Sequence, residues 1–323
     1  MREFELVTTL GQRLAARRPD TRLGIGDDGA LVAPRPGWEL AITTDTLIAG
    51  RHFPDDTPAV DIGYKTIAVN LSDLAAMGAE PAWLTLSLSA PKLDASWCDA
   101  LIDGAQAAIG GQAIDIIGGD TTGSDQLMLS VTAIGQAPAG QALRRSAACP
   151  GDLIAVTGSL GDAAAGLAFW PQRATAARAT QYLIDRLRRP TVRQGAALRG
   201  HVHAAIDLSD GLLADIEHIC QASGVGATLE LDRLPCSEAL AEHVPPQSRA
   251  RRRLQATGGD DYELCVTLNR RSLAAAEAAL ECPLTVIGRI DAAPGRRLLD
   301  AAGQPIAFAD LDAPAGWDHF AGD

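Results

Sequence analysis

A chain of 323 residues is too long for one ordinary core, so we expect two domains. Hydrophobic residues make up 47% of the sequence and charged residues 21%, as in soluble globular proteins, and aromatic residues only 4%. The formal net charge of −12 argues against nucleic acid or an anionic membrane as a partner.

The first half alternates predicted strands and helices. Strands are predicted over 38–44, 83–89, 113–118 and 127–135, and helices over 61–78 and 94–110. The segment 138–150, rich in Ala, Gly and Arg, is the predicted linker. Residues 1–137 are therefore expected to form an N-terminal domain, and residues 151–323 a C-terminal domain.

The second half continues the alternation. Strands are predicted over 153–157, 203–208, 226–231, 262–267 and 284–290. Helices are predicted over 162–170, from Gly211 to about Ser223 and over 271–281, and a further helix is predicted to end near Pro190. Both halves thus have an α/β or α+β pattern, and neither shows a short-period repeat.

Carboxylates recur where apolar runs stop, each beside glycine or a hydroxyl residue. The stretches are Gly26-Asp27-Asp28, Thr43-Thr44-Asp45, Leu71-Ser72-Asp73, Gly119-Asp120-Thr121, Asp207-Leu208-Ser209-Asp210 and Gly258-Gly259-Asp260-Asp261. Apolar runs such as Leu40-Ala41-Ile42 and Ile114-Asp115-Ile116-Ile117 are expected to end as strands at these stretches, because Asp and Gly are poor strand residues. If these ends converge, their oxygen ligands suit Mg²⁺, which commonly carries substrate phosphates. Any one stretch alone is more typical of a turn, whereas six together favour a shared acidic site.

Other nucleotide-binding patterns are excluded by their context. The run Gly24-Ile25-Gly26-Asp27-Asp28-Gly29 matches a dinucleotide fingerprint, but prolines and a glycine after it break the helix that the fingerprint requires. The sequence contains no G-x-x-x-x-G-K-[ST], no protein-kinase motif and no G-x-S-x-G. What remains is phosphoryl transfer that depends on positioning and on Mg²⁺ neutralising the phosphates, with little covalent chemistry from the protein.

Cysteine and histidine show no metal-ligand spacing. The six cysteines are scattered without a Cys-x-x-Cys pair, which favours free thiols in a reducing cytoplasm over disulfides or zinc. His201 and His203 share a predicted strand face, but a pair alone is a weak signal. The N-terminus lacks the apolar core of a signal peptide.

Two features allow either a binding role or a structural one. Arg144-Arg145, in the predicted linker, can contact a nucleotide phosphate or be a solvated pair on a loop. Trp317, near the C-terminus, can stack on a flat ring or anchor the tail.

Several longer runs carry a family resemblance. They are Leu23–Asp28, Thr43–Leu47 with His52-Phe53, Tyr64-Lys65, Ala68–Ala79, Gly118–Thr122, Pro150–Asp152, Ala205–Leu212 and Gly258–Cys265. With these runs in this order along the sequence, the chain resembles the thiamine-monophosphate kinase family along nearly its whole length. The resemblance implies ATP-dependent phosphorylation of thiamine monophosphate to thiamine diphosphate. It also implies a two-domain α/β (α+β) fold like that of aminoimidazole ribonucleotide synthetase, with a homodimer formed through the N-terminal sheet domain.

The resemblance also implies roles for individual residues. Several Mg²⁺ ions are expected on Asp28, Thr43, Thr44, Asp45, Asp73, Asp120, Asp207 and Asp210. ATP, the co-substrate, is expected to contact Gly119, Asp120, Arg145 and Ser209. The thiamine substrate is expected to contact His52, Asp260 and Trp317.

This chain departs from the family pattern at two places. Asp260 stands where the family usually has Glu. Its side chain is shorter by about one methylene, so its contact with the substrate can be made through a water molecule. The loop Gly123-Ser124-Asp125 stands where the resemblance would place an Arg that contacts phosphate.

Three alternatives stay open from the sequence. A selenophosphate synthetase would need a reactive Cys near the N-terminus, whereas the first here is Cys98. The hydrogenase-maturation relative ends in Cys, whereas this chain ends in Gly322-Asp323. A non-catalytic nucleotide or thiamine-phosphate binder would not need so many acidic ligands.

Overall fold

The computed structural model describes Arg13 and residues 17–311. It divides into two compact units. The first contains the described residues up to Leu74 together with Ala79–Ala142, and the second contains Ala75–Gly78 and the described residues from Leu143 onward. The main division therefore falls inside the predicted linker. Among the described residues, no helix combines the length and the apolar character needed to cross a bilayer.

The described part of the first unit includes a four-stranded sheet, a separate two-stranded pair and two long helices. Its strands are β1 (Thr21–Leu23), β2 (Leu31–Val32), β3 (Trp38–Ile48), β4 (Glu80–Ala90), β5 (Asp115–Gly123) and β6 (Met128–Pro138), and the helices are α1 (Ala59–Ala76) and α2 (Ala95–Ile109). The sheet order is β3-β6-β4-β5, and β1 pairs with β2 separately. The β4/β5 pair is parallel, while β6 is antiparallel to both β3 and β4.

Glycines let the two helices approach backbone to backbone. A Cβ on Gly63 of α1 would lie 2.0 Å from the Leu101 carbonyl oxygen, and one on Gly104 of α2 would lie 1.8 Å from the Val60 carbonyl oxygen. Any larger side chain at either position would force the helices apart.

The N-terminus of α2 is capped by Asp94, whose carboxylate accepts from the backbone N–H of Ser96 at 3.0 Å.

The strands of the first unit are longer than predicted. The prediction that strands end at the acidic stretches was wrong for Thr43-Thr44-Asp45, since β3 continues to Ile48, and for Asp120, since β5 continues to Gly123. Strand propensity failed here because neighbouring strands supply ladder hydrogen bonds along the whole length of both segments. The helix predicted to contain Asp73 is confirmed as α1.

The second unit has a seven-stranded sheet. Its strands are β7 (Leu153–Thr157), β8 (Ala204–Asp207), β9 (Gly226–Glu230), β10 (Leu264–Leu268), β11 (Leu284–Asp291), β12 (Gly295–Leu299) and β13 (Pro305–Ile306). Its helices are α3 (Asp162–Phe169), α4 (Arg178–Arg188), α5 (Leu212–Ser223), α6 (Glu238–His243), α7 (Arg249–Thr257) and α8 (Leu273–Ala278). The sheet order is β13-β12-β9-β11-β7-β10-β8, and among the strand pairs described up to residue 311 only β9/β12 is parallel.

The centre of this sheet is covered on both faces. Every residue of β7, β8 and β10 is buried, so these strands read as continuous apolar runs without alternation. One face packs on the cluster that includes Ile206 and Ile216, and the other on the cluster that includes Leu198 and Val266.

Two expectations for the second unit need correction. Asp260 and Asp261 follow helix α7 and precede β10, so this acidic stretch does not follow a strand. The elements β12, β13, α6 and α7 of this unit, like β1 and β2 of the first unit, were not predicted. β1, β2 and β13 are only two or three residues long, and arginines interrupt the apolar pattern of β12 and α7. By contrast, Asp207 closes β8 and Asp210 follows it, as predicted.

Candidate active-site residues in each unit

The first group of predicted ligands lies where β3 passes α1. The hydroxyl of Thr43 on β3 donates to Asp73 Oδ2 on α1 at 2.5 Å. The backbone N–H of Asp45 donates at 3.1 Å to Asn70 Oδ1, and the fully buried Asn70 amide in turn donates to the Thr66 carbonyl at 3.0 Å. The strand and helix are thus held in register, and Thr43, Asp45 and Asp73 come together at this corner.

Thr44 does not join that group. Side chains alternate along a strand, so Thr43 and Asp45 face one side of the sheet and Thr44 the other. The hydroxyl of Thr44 instead lies 2.9 Å from that of Thr132 on β6, on an exposed face. At the β3/α1 corner, Thr44 could therefore act as the predicted metal ligand only through its backbone.

Asp120 lies at the opposite edge of the same sheet. It pairs with Ser87 on β4, and three strand spacings, about 14 Å, separate its strand from β3. A Cβ on the neighbouring Gly119 would lie 1.8 Å from the Leu86 carbonyl oxygen. Glycine is therefore required at 119 for close strand pairing, independently of any nucleotide contact.

Asp28 and His52 lie in loops of the first unit. Asp28 is exposed, and its backbone N–H donates to Asp27 Oδ1 at 2.8 Å. His52 follows β3, and its Nδ1 accepts from the backbone N–H of Ile48 at 3.0 Å, which leaves the ring proton of the neutral form on Nε2. Lys65 Nζ donates to the His52 carbonyl at 3.1 Å and so anchors this turn to α1.

The second unit collects acids where β8 ends and α5 begins. Asp207 is buried at the end of β8, and Asp215 is buried in the first turn of α5. Asp215 accepts from the backbone N–H groups of Asp210 at 3.2 Å and Gly211 at 3.1 Å. Burial, followed by the charges of Asp207 and Asp210, raises the pKa of Asp215 to about 8. This cluster is electrostatically crowded.

The loop that carries Asp260 is bonded to the loop after β8. The backbone N–H of Asp260 donates to the Ser209 carbonyl at 2.9 Å, and that of Tyr262 donates to the Leu208 carbonyl at 2.8 Å. Asp260 has φ of 68°, in the left-handed region. The second unit thus brings together Asp207, Ser209, Asp210 and Asp260.

A buried charge network lies beneath this loop. Glu263 is fully buried and accepts from Arg186 at 2.9 Å and from Arg193 at 2.5 and 2.6 Å. Arg186 also donates to the Asp261 carbonyl at 2.9 Å. Burial raises the pKa of Asp261 to about 8, although Gly161 N–H donates to its carboxylate at 2.6 Å. The network ties the Asp260 loop to the helices around it.

Two predicted contacts are not joined to these groups. Arg145 begins an exposed 3-10 turn, Arg145–Ala147, where its carbonyl accepts from the Ser223 hydroxyl at 2.8 Å. Trp317 lies outside the described residues, and its stacking role stays a prediction.

Asp215 was missed by the sequence analysis. It lies five residues beyond Asp210, and an acid in the first turn of a helix ordinarily indicates only capping or the helix dipole. Nothing in its spacing shows that it shares a charged environment with Asp207. That environment arises from the turn at Gly211, whose φ of 108° bends the chain between strand and helix.

Comparison with known proteins identifies both units. Residues 26–137 match the family model described as AIR synthase related protein, N-terminal domain, and residues 149–300 match the corresponding C-terminal domain. The thiamine-monophosphate kinase of Salmonella typhimurium is 46% identical over 326 residues, which is 99% of this chain and 98% of that protein.

Solved structures give the same result. The crystal structure of thiamine-monophosphate kinase from Stenotrophomonas maltophilia K279a has a TM-score of 0.85 and 47% identity, and the match covers 95% of this chain and 98% of that one. The structure of AaThiL complexed with AMPPCP and TMP has a TM-score of 0.78 and 30% identity, with 99% of each chain covered.

Proposed function

We propose that this chain, which belongs to the AIR synthase related family and within it to the thiamine-monophosphate kinases, transfers the γ-phosphate of ATP to thiamine monophosphate. The product is thiamine diphosphate. The observation that carries the proposal is the full-length match to kinases named for this activity, at 46% identity. The AaThiL structure, solved with the ATP analogue AMPPCP and with TMP, supports the same pair of substrates.

The acidic residues fit Mg²⁺. In the first unit, Thr43, Asp45 and Asp73 offer hard oxygen ligands at one corner. In the second, crowding of Asp207 and Asp210 around the buried Asp215 disfavours a further negative charge, and a cation would relieve this. When bound, Mg²⁺ neutralises phosphate charge and so supports phosphoryl transfer.

More than one ion is needed. The strands of Asp45 and Asp120 are separated by about 14 Å, whereas Mg²⁺ binds oxygen at roughly 2.1 Å. A single ion therefore cannot be ligated directly by both carboxylates. We infer that the set expected from the sequence (Asp28, Thr43, Thr44, Asp45, Asp73, Asp120, Asp207 and Asp210) is shared among several ions, with Thr44 able to act at the β3/α1 corner only through its backbone.

The protein contributes positioning rather than proton transfer. The nucleophile is a phosphate oxygen of thiamine monophosphate, which is already anionic, so no general base is required. We assign ATP contacts to Gly119, Asp120, Arg145 and Ser209, and thiamine contacts to His52, Asp260 and Trp317. His52 can donate a hydrogen bond from Nε2–H, and the Asp260 carboxylate can accept one. Asp260 is held in position because its backbone N–H donates to the Ser209 carbonyl.

We further propose a homodimer through the N-terminal sheet, in a reducing cytoplasm. Alternation along β3 places Leu40 and Ile42 on one face, where they are 41% and 63% exposed. An apolar strand face of this kind suits burial against a second copy. All six cysteines are free thiols, in keeping with a reducing compartment.

The deciding experiment is an assay for thiamine diphosphate formed from ATP, Mg²⁺ and thiamine monophosphate. We expect product to form in proportion to ADP, and none to form without Mg²⁺ or with aminoimidazole precursors as the alternative substrate. ADP release without thiamine diphosphate, or tight binding of both substrates without turnover, would contradict the proposal and favour a sister enzyme or a binding protein.

A further inference from the structure

A second cluster of ligand-forming side chains lies apart from the acidic groups. Cys149, Asp152 and His203 each offer one ligand atom, namely the thiol sulfur, a carboxylate oxygen and a ring nitrogen, and these atoms all lie within 4.8 Å of one another. We call these three residues the Cys149 cluster. All three belong to the second unit.

The fold explains why residues so distant in sequence meet. Strands β7 and β8 are both antiparallel to β10, which lies between them, so β7 and β8 run in the same direction and start at the same edge of the sheet. Asp152 immediately precedes β7, and His203 immediately precedes β8. Spacing along the chain gives no sign of this, because 51 positions separate the two residues.

Two of the three side chains are already held in place. Asp152 is only 3% exposed, and its Oδ2 accepts from the Cys149 backbone N–H at 2.9 Å and lies 2.8 Å from His203 Nδ1. The backbone N–H of His203 donates to the Thr267 carbonyl of β10 at 2.7 Å. The carboxylate and imidazole therefore face each other on a rigid sheet edge.

Cys149 completes the cluster from the adjacent turn. Its backbone is fixed by Asp152, whose N–H donates to the Cys149 carbonyl at 3.0 Å. The side chain is exposed, and its sulfur makes a weak contact of 3.7 Å with the Ala147 carbonyl. The sulfur already lies within 4.8 Å of a ligand atom of Asp152 and of one of His203.

We propose that the Cys149 cluster binds a divalent transition metal of the Zn²⁺ class. Thiolate and imidazole are ligands that Zn²⁺ and Co²⁺ prefer, and a carboxylate completes a three-residue set that leaves the fourth tetrahedral position to water. Mg²⁺ prefers oxygen ligands alone, so the cluster discriminates against it. Binding converts the Cys149 thiol to a thiolate and releases its proton to solvent.

The cluster is distinct from the acids assigned to Mg²⁺. His203 precedes the first residue of β8 and Asp207 is its last, so about 13 Å of extended strand separates them. A metal here would link the starts of β7 and β8 and thereby brace the strand that carries Asp207. Its expected effect is on the stability of the second unit, in addition to the proposed kinase chemistry.

The test is titration of untagged, metal-free protein with Co²⁺ in the presence of excess Mg²⁺. We expect a thiolate-to-Co²⁺ charge-transfer band in the near ultraviolet, with one Co²⁺ per chain, and its loss when Zn²⁺ is added. Zn²⁺ should also protect Cys149 from alkylation and raise the Tm of the protein.

Matched variants locate the site. Cys149→Ser should abolish the band, while Cys282→Ser, which removes another partly exposed thiol of the second unit, should leave it intact. His203→Ala should weaken Co²⁺ binding by at least about tenfold, the scale for loss of even an outer partner. Asp152→Asn tests the contribution of the carboxylate to Co²⁺ binding. Because Asp152 is buried, the Tm of this variant is measured as well.

Three results would overturn the proposal. One is the absence of a thiolate band in the parent protein, which would leave Asp152 and His203 as a structural hydrogen-bonded pair. The second is a band that persists in Cys149→Ser, which would place the metal on another thiol. The third is unchanged Co²⁺ affinity in His203→Ala, which would reduce the cluster to a lone cysteine.

Discussion

The acids of the two units are presented in different ways. In the first unit, Asp45, Asp73 and Asp120 lie on regular strands and a helix, and Asp120 is exposed. In the second, Asp207 and Asp215 are buried around a strand–turn–helix junction. Regular elements hold the first set apart at fixed spacings, whereas the turn at Gly211 concentrates charge in the second. We therefore expect substitutions in the first set to change chiefly turnover, and substitutions in the second set to change stability as well.

The largest effects should follow removal of charge from the first set. Asp45→Asn, Asp73→Asn and Asp120→Asn each keep the side-chain shape but lose the charge that holds Mg²⁺ against phosphate. We expect a loss of about two to four kcal/mol in transition-state stabilisation, measured as kcat/KM at limiting Mg²⁺.

Glu39→Gln is the matched control, since Glu39 is an exposed acid on the same strand as Asp45 and accepts from Gly140 N–H at 3.2 Å. Its kcat/KM should stay near that of the parent. Near-normal turnover in all three Asp variants would refute the assignment of the first set.

Asp260 tests whether the loop of the second unit binds thiamine monophosphate. Asp260→Ala should raise KM for this substrate by a factor that corresponds to about one to three kcal/mol, with ATP affinity little changed. Asp260→Asn serves as a control for backbone strain, because Asn tolerates the left-handed φ of 68°.

Asp260→Glu sharpens the same test. It restores the reach of the family's usual residue, but a longer side chain in left-handed backbone costs about one to two kcal/mol. We expect a lower Tm together with KM equal to or better than that of the parent. If Ala, Asn and Glu variants all keep the parent KM, Asp260 is only a turn residue.

The two neighbouring threonines of β3 should respond differently. Thr43→Val removes the hydroxyl that donates to Asp73, and we expect kcat/KM to fall by about tenfold, near one hydrogen bond to a charged group. Thr44→Val alters the opposite face and should change kcat/KM by less than about twofold. Equal losses in the two variants would contradict the placement of Thr43 and Asp45 on one side of the sheet.

The smallest effect on turnover is expected at Asp215, which instead makes stability depend on pH. Its pKa is raised from 3.8 to about 8 in the folded protein, so the folded state binds more protons between these values and stability falls as pH rises through them. In metal-free protein, Asp215→Asn should remove this loss and raise Tm relative to the parent above pH 8.

Mg²⁺ should reproduce part of that gain in the parent, and more at high pH than at low pH, because the cation stabilises the ionised acids. The check is the difference in Tm between parent and variant across the pH range. Parallel curves for the two proteins would show that Asp215 does not titrate in the crowded environment described for it.

Much of the secondary structure around the candidate site residues was predictable from the sequence, because these residues lie in contiguous runs. The predictions of β7 at 153–157, of a helix containing Asp73 and of a strand near 203–208, observed as Ala204–Asp207, are confirmed. In each case a local apolar pattern is followed by a clear punctuation residue. The family and the two-domain fold followed from the same runs.

Residue types and their local order suffice to indicate the class of chemistry and the family. The folded structure was needed to show that β3 and β5 continue through their acidic stretches, that Asp120 lies three strands from Asp45, and that Asp215 is buried near the charge of Asp207. It also brought Cys149 and Asp152 to His203. The physical reason is that sheet order and turn geometry set distances between segments, and these depend on packing rather than on spacing along the chain.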